Sequence, residues 1–269
     1  MEGRPLAGWT VAITRPAEQG QRLAQRIQAL GGRPWVAPLI AITLCPEAVG
    51  GAVDEWGRWD AVVATSANAG RALKASLISR GREQVPHPLP AFAVGRATAA
   101  ALSACGLSAQ VPPGVRTGAD LAQALVGRWN GRALRVLYLH GDLADPAFAG
   151  TLADAGVEVE AVCAYHTREA PVDPAAWRRM AETGGPLAVA LYSPSAVRAF
   201  ATRIRPIFEA LGRWPALVCI GPATARAAES AGLWEIHQAA SSDEDGVVAT
   251  LISLADEGTR RAGEEGKTR

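Results

Sequence analysis

The sequence has few cysteines, and none of the spacings at which cysteines bind metal ions. The four cysteines (Cys45, Cys105, Cys163 and Cys219) are scattered along 269 residues, and no C-x-x-C pair occurs. We therefore expect small buried hydrophobic residues and no metal site. Aromatic residues make up only 6% of the chain, and the net charge at pH 7 is only +1. So weak a charge does not predict a nucleic-acid partner.

Membrane-spanning and export segments are also missing. The longest apolar run, residues 35–44, contains Pro38 and is too short to cross a membrane. The N-terminal residues include Glu2 and Arg4 and form no apolar signal-peptide core. We therefore expect a cytoplasmic protein that does not contact a membrane.

Several catalytic signatures do not occur. Neither G-x-G-x-x-G nor G-x-x-x-x-G-K-[ST] is present, so the sequence supports neither a dinucleotide site nor a P-loop. No G-x-S-x-G nucleophile motif is found. The four histidines are dispersed, and no spacing singles out a pair of carboxylates. Any chemistry therefore does not depend on an acid–base dyad visible in the sequence.

The sequence does contain an internal repeat. Residues 93–99 match residues 219–225, each with an apolar run, a glycine and an alanine-rich stretch that includes a threonine. Upstream, residues 65–73 match residues 192–200. Two long repeats indicate two related domains, with a cleft between them as the expected site.

Strands alternate with helices in both halves. This order predicts an α/β fold with parallel sheets wound on both faces. Helices are also expected after Ser66 and Ser193, which are placed to cap them, and residues 35–44 form a further extended run. We predict strands at residues 9–14, 60–65, 91–95, 134–139, 157–165, 187–192 and 216–220, and helices at residues 17–30, 97–105, 119–129, 147–155, 223–231 and 245–254.

The candidate binding residues follow the predicted strands. Ligands of parallel sheets collect at the carboxyl ends of strands, and helix N-termini favour anions. We therefore expect an anionic ligand in two roughly symmetric halves, although each capping serine or glycine taken alone is explained by local structure. The residues at these strand ends are Arg15, Ser66, Gly95, His140, Ser193 and Gly221, and Thr98 and Thr224 add hydroxyls in the first helical turns.

Together these motifs resemble the uroporphyrinogen-III synthase family. The resemblance covers nearly the whole chain, and the fragments occur in the family's order. Each fragment is weak alone, and the set is specific. The matching segments are residues 13–16, 65–69, 94–99, 164–167, 192–197 and 220–227.

The resemblance implies a domain organisation that the repeat alone does not. The repeat predicts tandem domains that divide near Gly131. The family instead has two flavodoxin-like domains joined by a two-stranded linker. The implied first domain is residues 1–38 plus 169–258, the second is residues 44–163, the linkers are residues 39–43 and 164–168, and residues 259–269 form a flexible tail.

The resemblance also implies a reaction. The family closes hydroxymethylbilane, an acidic linear tetrapyrrole, to uroporphyrinogen III and inverts the last ring, acting as a lyase of porphyrin and heme biosynthesis. It implies no cofactor and no metal, a monomer, and transient contact with the preceding enzyme of the pathway. Catalysis would consist largely of holding one substrate conformation and stabilising a developing azafulvene.

The family also suggests roles for individual residues. Tyr165 matches the family's recurrent tyrosine, which is proposed to assist loss of the terminal hydroxyl. Thr98 and Thr224 match threonines that line the cleft. Ser66, Ser193 and Ser195 match positions that bind substrate carboxylates.

Two departures from the family pattern leave an alternative open. Ala64 stands where members often have Phe, and His140 stands where many bacterial members have Arg. Histidine lacks the fixed charge of arginine near neutral pH. The alternative function is a non-catalytic tetrapyrrole-binding or regulatory homologue. A periplasmic-type binder or a nucleotide-using transferase is disfavoured, because no export signal and no nucleotide motif is seen.

Overall fold

The chain folds into two compact units. We describe it from a computed structural model, which covers residues 4–129 and 132–265, with side chains described as far as residue 258. Unit 1 comprises Met1–Ala41 with Arg168–Arg269, and unit 2 comprises Ile42–Thr167. Gly131 lies outside the described residues, but the chain on both sides of it belongs to unit 2. The tandem division expected from the repeat alone is therefore wrong.

Eleven strands lie within the described residues. Strands β3 and β8 each cross from one unit to the other and are neighbours in one sheet. The strands are β1 (Thr10–Ile13), β2 (Arg33–Val36), β3 (Ile40–Leu44), β4 (Ala61–Ala64), β5 (Pro90–Ala93), β6 (Ser108–Gln110), β7 (Arg135–Gly141), β8 (Glu158–Glu169), β9 (Leu187–Leu191), β10 (Ala216–Cys219) and β11 (Ile236–Gln238).

Eleven α-helices connect these strands in the same part of the chain. None of the helices in residues 4–129 and 132–265 has the length and apolar character needed to cross a membrane. The helices are α1 (Ala17–Ala29), α2 (Pro46–Asp54), α3 (Ala67–Ser79), α4 (Arg96–Ser103), α5 (Gly118–Trp129), α6 (Ala147–Asp154), α7 (Pro174–Glu182), α8 (Pro194–Arg203), α9 (Arg205–Leu211), α10 (Pro222–Ser230) and α11 (Glu244–Glu265).

Both sheets have the same spatial order of strands. Unit 1 has the order β2-β1-β9-β10-β11, and unit 2 has β8-β7-β4-β5-β6 with β3 added beside β8. All eight pairings within these two five-strand sets are parallel. This is the flavodoxin-like order. The first two strands of unit 1 correspond to the last two of unit 2, so the repeat is circularly permuted. The predicted α/β fold is confirmed.

Each sheet is buried on both faces, which explains its nearly continuous apolar strands. In unit 2, Leu137 and Leu139 of β7 pack with residues of α2, α3 and α4. Their neighbours Val136 and Tyr138 pack with residues of α5 and α6. We call these the α3 face and the α6 face. Unit 1 is built alike, with α1 and α11 on one face and α7 to α10 on the other.

The structure differs from the sequence-based prediction mainly in short elements. The prediction missed α2, α7, α9, β6 and β11, and the two missed strands have only three residues each, with little apolar alternation. Helix α7 begins at Pro174, because Asp173 caps it by accepting from the amides of Ala175 and Ala176. Helix α11 runs to Glu265 instead of ending at residue 254, since no proline follows and alanine, glutamate and arginine favour helix. Residues 266–269 lie outside the described residues.

The contact between α3 and α4 depends on Gly70. A Cβ there would lie 2.7 Å from Ala101 Cβ and 2.9 Å from the Ala101 carbonyl carbon. We expect Gly70→Ala to lower the free energy of unfolding by about 1–3 kcal/mol through overpacking. Urea denaturation measures this change. As a control, Gly127→Ala adds a Cβ with nothing within 4 Å and should stabilise α5 by up to about 1 kcal/mol. A Gly70→Ala variant as stable as the parent would contradict the close helix contact.

Two cysteines are buried in the cores. Burial raises the pKa of Cys105 to about 11 and that of Cys219 to about 12. Thiols of an unfolded chain ionise near pH ~8.5, so the unfolded state releases these protons first. The free energy of unfolding should therefore fall as pH rises from about 9 to about 12. Denaturation at several alkaline pH values measures this loss.

The same burial predicts selective thiol reactivity. Near neutral pH, an alkylating reagent should modify Cys45 and Cys163, which are partly exposed, and spare the two buried cysteines. Mass spectrometry counts the adducts, and the chain unfolded in guanidinium should react at all four. Rapid modification of Cys105 or Cys219 in the folded chain would contradict their burial.

Candidate functional site

A gap opens at the carboxyl ends of β4 and β7 in unit 2. The helices that follow these neighbouring strands cover opposite faces of the sheet, α3 on one and α6 on the other. Ligands of open parallel sheets bind at such a switch point. Three residues meet here: Ser66 after β4, Gly141 at the end of β7 and Tyr165 on β8.

Tyr165 is half-buried and hydrogen-bonds with Ser66. Ser66 Oγ accepts from the Asn68 amide at 3.2 Å as the N-cap of α3, which leaves its own proton for the Tyr165 oxygen. Burial raises the pKa of Tyr165, the Ser66 hydrogen bond lowers it by less, and the negative charge of Asp142 raises it further. The phenol therefore keeps its proton near neutral pH and can donate it to a ligand.

A β-bulge directs Tyr165 to the α3 face. Strand β7 pairs His140 with Cys163 and then Gly141 with Tyr165, so Ala164 is an extra residue on β8. Ala164 and Tyr165 consequently both pack against the α3-face core, although strict alternation would send them to opposite faces. Bulges that redirect a side chain are frequent beside active sites.

His140 lies on the α6 face. Its ring stacks on Tyr138 with centroids 5.1 Å apart, and Tyr138 packs against Phe148 of α6. His140 Nδ1 lies 2.9 Å from the Gly141 carbonyl oxygen and donates to it, because a carbonyl can only accept. His140 and Tyr165 therefore lie on opposite faces of the sheet.

A cavity of about 370 Å³ adjoins the α6 face at the same edge. Thr65, Tyr138, Asp145 and Phe148 are among its lining residues, and Tyr138 hydrogen-bonds with Thr65. Asp145 Oδ1 accepts from the Ala147 amide at 2.9 Å, so a carboxylate already occupies the start of α6. A second carboxylate would be repelled there, and this cavity suits a neutral group better than an anion.

The next strand end in unit 2 leads into α4. Gly95 has φ +80°, which favours glycine, and a Cβ there would have nothing within 4 Å. The start of α4 is therefore open. Thr98, two residues further along α4 than Arg96, is only 4% exposed and offers little surface to a ligand.

Arg15 in unit 1 is held by two neighbours. Its Nη1 lies 3.0 Å from Glu244 Oε1, and its guanidinium carbon lies 4.5 Å from the centre of the Tyr192 ring. Arg15 and Tyr192 follow the neighbouring strands β1 and β9, the switch point of this sheet. Glu244 therefore offsets the positive charge that the sequence placed at this edge.

The remaining predicted residues begin two helices of unit 1. Ser193 caps α8 by accepting from the Ala196 amide at 3.2 Å, and Ser195 Oγ accepts from Arg198 at 3.1 Å. Gly221 precedes α10 and is covered, since a Cβ there would lie 2.8 Å from Ser242 Oγ. Thr224 is only 3% exposed.

Comparison with known proteins identifies the family of this fold. The family model described as "Uroporphyrinogen-III synthase HemD" matches residues 21–249. The chain belongs to the uroporphyrinogen-III synthase family. A curated relative, "Porphyrin biosynthesis protein HemD" of Ruminiclostridium josui, is 26% identical over 255 residues, which are 93% of this chain and 49% of the relative. The chain thus spans about half the length of that relative.

Solved structures of the family share the fold. Uroporphyrinogen-III synthetase from Helicobacter pylori matches with a TM-score of 0.60 and 14% identity over 91% of this chain and 99% of its own. A mutant uroporphyrinogen III synthase from Thermus thermophilus matches with a TM-score of 0.56 and 20% identity over 95% of this chain and 99% of its own. At these identities the likeness supports the fold and not the activity.

The sequence-based site residues divide evenly between the units. Ser66, Gly95, Thr98, His140 and Tyr165 lie in unit 2, and the other five lie in unit 1. Of the unit 2 residues, the structure joins Tyr165 to Ser66 and places His140 on the other face.

Sequence reasoning missed four residues that contact the predicted ones. Gly141 and Asp142 adjoin Tyr165, while Tyr192 and Glu244 hold Arg15. A glycine and an aspartate directly after a buried strand were the available signal for the first pair. Glu244 lies 229 positions from Arg15, and no local pattern connects them.

We expect Ser66→Ala to raise the pKa of Tyr165, because it removes the hydrogen bond that stabilises the phenolate. The chain has three tyrosines, so ring-labelled NMR signals can be titrated separately and assigned by Tyr→Phe variants. Thr65→Val is the matched control, since Thr65 contacts Tyr138 on the opposite face. It should leave the Tyr165 titration unchanged. A Tyr165 titration that does not respond to Ser66→Ala would contradict the hydrogen bond.

Proposed function

We propose that this chain closes hydroxymethylbilane to uroporphyrinogen III with inversion of the last ring. The observation that carries the proposal is the protonated Tyr165 phenol, hydrogen-bonded with Ser66 at the switch point of the unit 2 sheet. Family membership supports this chemistry, and the reaction needs a proton donor for its first step.

In the proposed first step, Tyr165 donates to the terminal hydroxyl of the substrate. The C–O bond breaks, the hydroxyl leaves as water, and the pyrrole nitrogen supplies the electron pair that forms an azafulvene. A phenol whose pKa is raised by burial stays protonated until the hydroxyl arrives. Ser66 then stabilises the phenolate that remains, and the proton released when the ring closes restores the phenol.

Ring closure gives the correct isomer only if the chain holds the substrate in one conformation. The linear tetrapyrrole must bring its substituted terminal ring carbon to the azafulvene, through a spiro intermediate. Substrate carboxylates would be held at helix N-termini, such as those of α3 after Ser66, α4 after Gly95 and α8 after Ser193. Positioning of this kind accounts for a large part of the rate.

The proposed roles of the other residues follow from their places. Ser195 would bind a carboxylate beside α8, and Gly221 would bind one beside α10 if the Ser242 hydroxyl that covers it moves aside. Thr98 and Thr224 would support the starts of α4 and α10 from within each unit. Because Glu244 offsets the charge of Arg15, the guanidinium would orient the substrate more than attract it. His140 would bind the substrate from the α6 face.

We propose further that the chain is a cytoplasmic monomeric lyase that requires neither cofactor nor metal. Transient contact with the enzyme that makes hydroxymethylbilane would limit spontaneous closure of this unstable substrate to the other isomer. The cytoplasmic location is expected from the sequence, and the other properties are implied by the family resemblance.

The test is an isomer-resolved cyclisation assay. Hydroxymethylbilane is generated in situ with and without the protein, and the oxidised products are separated. We expect the type III isomer only with the protein, and Tyr165→Phe should lower kcat by about 100-fold or more, the usual contribution of a general acid.

Tyr138→Phe is the matched control for Tyr165→Phe. It removes a phenol, more deeply buried than that of Tyr165, from the opposite face of the same sheet and should retain activity. Near-parental turnover of Tyr165→Phe would refute the acid role. Type I isomer alone, formed at the spontaneous rate, would refute the synthase function and favour a binding or regulatory homologue.

A further inference from the structure

The phenol of Tyr165 lies directly over Gly141. A Cβ on Gly141 would lie 2.4 Å from Tyr165 Cζ and 2.7 Å from its hydroxyl oxygen. No side chain larger than hydrogen fits while the ring keeps this position, because such distances are far inside van der Waals contact. Gly141 has no positive φ, so the close approach of the ring, and not the backbone, requires glycine here.

Asp142 holds the backbone of the strand that carries the same ring. Its amide donates to the Tyr165 carbonyl at 3.1 Å, and its Oδ1 accepts from the Thr167 amide at 2.8 Å. Its Oδ2 lies 3.2 Å from His166 Nδ1. The Asp142 side chain is only 17% exposed, so these contacts are partly shielded from water.

These contacts act where regular pairing is interrupted. The bulge at Ala164 removes the ladder register that would otherwise orient Tyr165. Asp142 re-forms the pairing immediately beyond the bulge through its amide, and its carboxylate fixes the strand two residues further on. The ring is thereby held between Gly141 below and Ser66 beside its hydroxyl.

We propose that Gly141 and Asp142 are positioning residues for Tyr165. Gly141 leaves the space that the phenol occupies, and Asp142 fixes the bulged strand that carries it. The proposal deepens the function proposed above and rests on Tyr165 acting as its acid. Neither residue is required to touch the substrate.

The first experiment follows the Tyr165 ring itself and needs no substrate. In ring-labelled protein, Gly141→Ala should shift the Tyr165 NMR signal and abolish the response of its titration to Ser66→Ala. Gly150→Ala, at a helical glycine with nothing within 4 Å of a Cβ, should leave the Tyr165 signal unchanged. Asp142→Ala should speed hydrogen exchange of the Thr167 amide, whereas Asp142→Asn retains an acceptor and should protect it.

The second experiment measures kinetics. Gly141→Ala and Asp142→Ala should each lower kcat by roughly 10- to 100-fold with little change in KM, as expected when an acid is displaced by about 1 Å. Asp142→Asn should restore most of kcat, because it keeps the hydrogen bond to Thr167. In a Tyr165→Phe background, Gly141→Ala and Asp142→Ala should cause no further loss.

The outcomes separate this proposal from the reaction itself. A Tyr165 signal and a Thr167 exchange rate unchanged in both variants overturn the positioning role, whatever the activity. Full additivity with Tyr165→Phe also overturns it, because the residues would then act independently of the phenol. If the ring responds as expected but the parent chain forms no type III isomer, the synthase function fails while the hold on Tyr165 is supported.

Discussion

The winding of a parallel sheet determines where this protein can place its chemistry. Neighbouring strands β4 and β7 send their helices to opposite faces, so no helix covers the point where both strands end. The side chains and backbone amides at this switch point are therefore placed to meet a ligand.

Protonation of Tyr165 follows from a balance of two opposing effects. Burial disfavours the phenolate, whereas the Ser66 hydrogen bond favours it, and burial is the larger effect. The hydroxyl group of a fully exposed tyrosine would have no fixed orientation. A fully buried one could not reach a ligand. The half-buried position at the carboxyl end of the sheet meets both requirements, and the N-cap serine connects the phenol to the start of α3.

The sequence predicted the fold better than the contacts of the site. The repeat, the strand ends and the capping serines are local patterns, and the structure has nearly all of the predicted strands and long helices. The pairing of Arg15 with Glu244 depends on tertiary packing across 229 positions, and the bulge at Ala164 depends on how β7 pairs with β8. Alternation read from the sequence would have placed Tyr165 on the wrong face, away from Ser66.

The two halves of the repeat share a topology and differ at their edges. Gly95 adopts φ +80° and leaves the start of α4 open, whereas the corresponding Gly221 is extended and covered by Ser242. Thr65 corresponds to Tyr192. Thr65 lines the cavity of the α6 face, whereas the Tyr192 ring packs against Arg15. The shared strand order buries both sheets in the same way, whereas the strand ends can differ without disturbing the cores. The two edges therefore present different groups to a ligand.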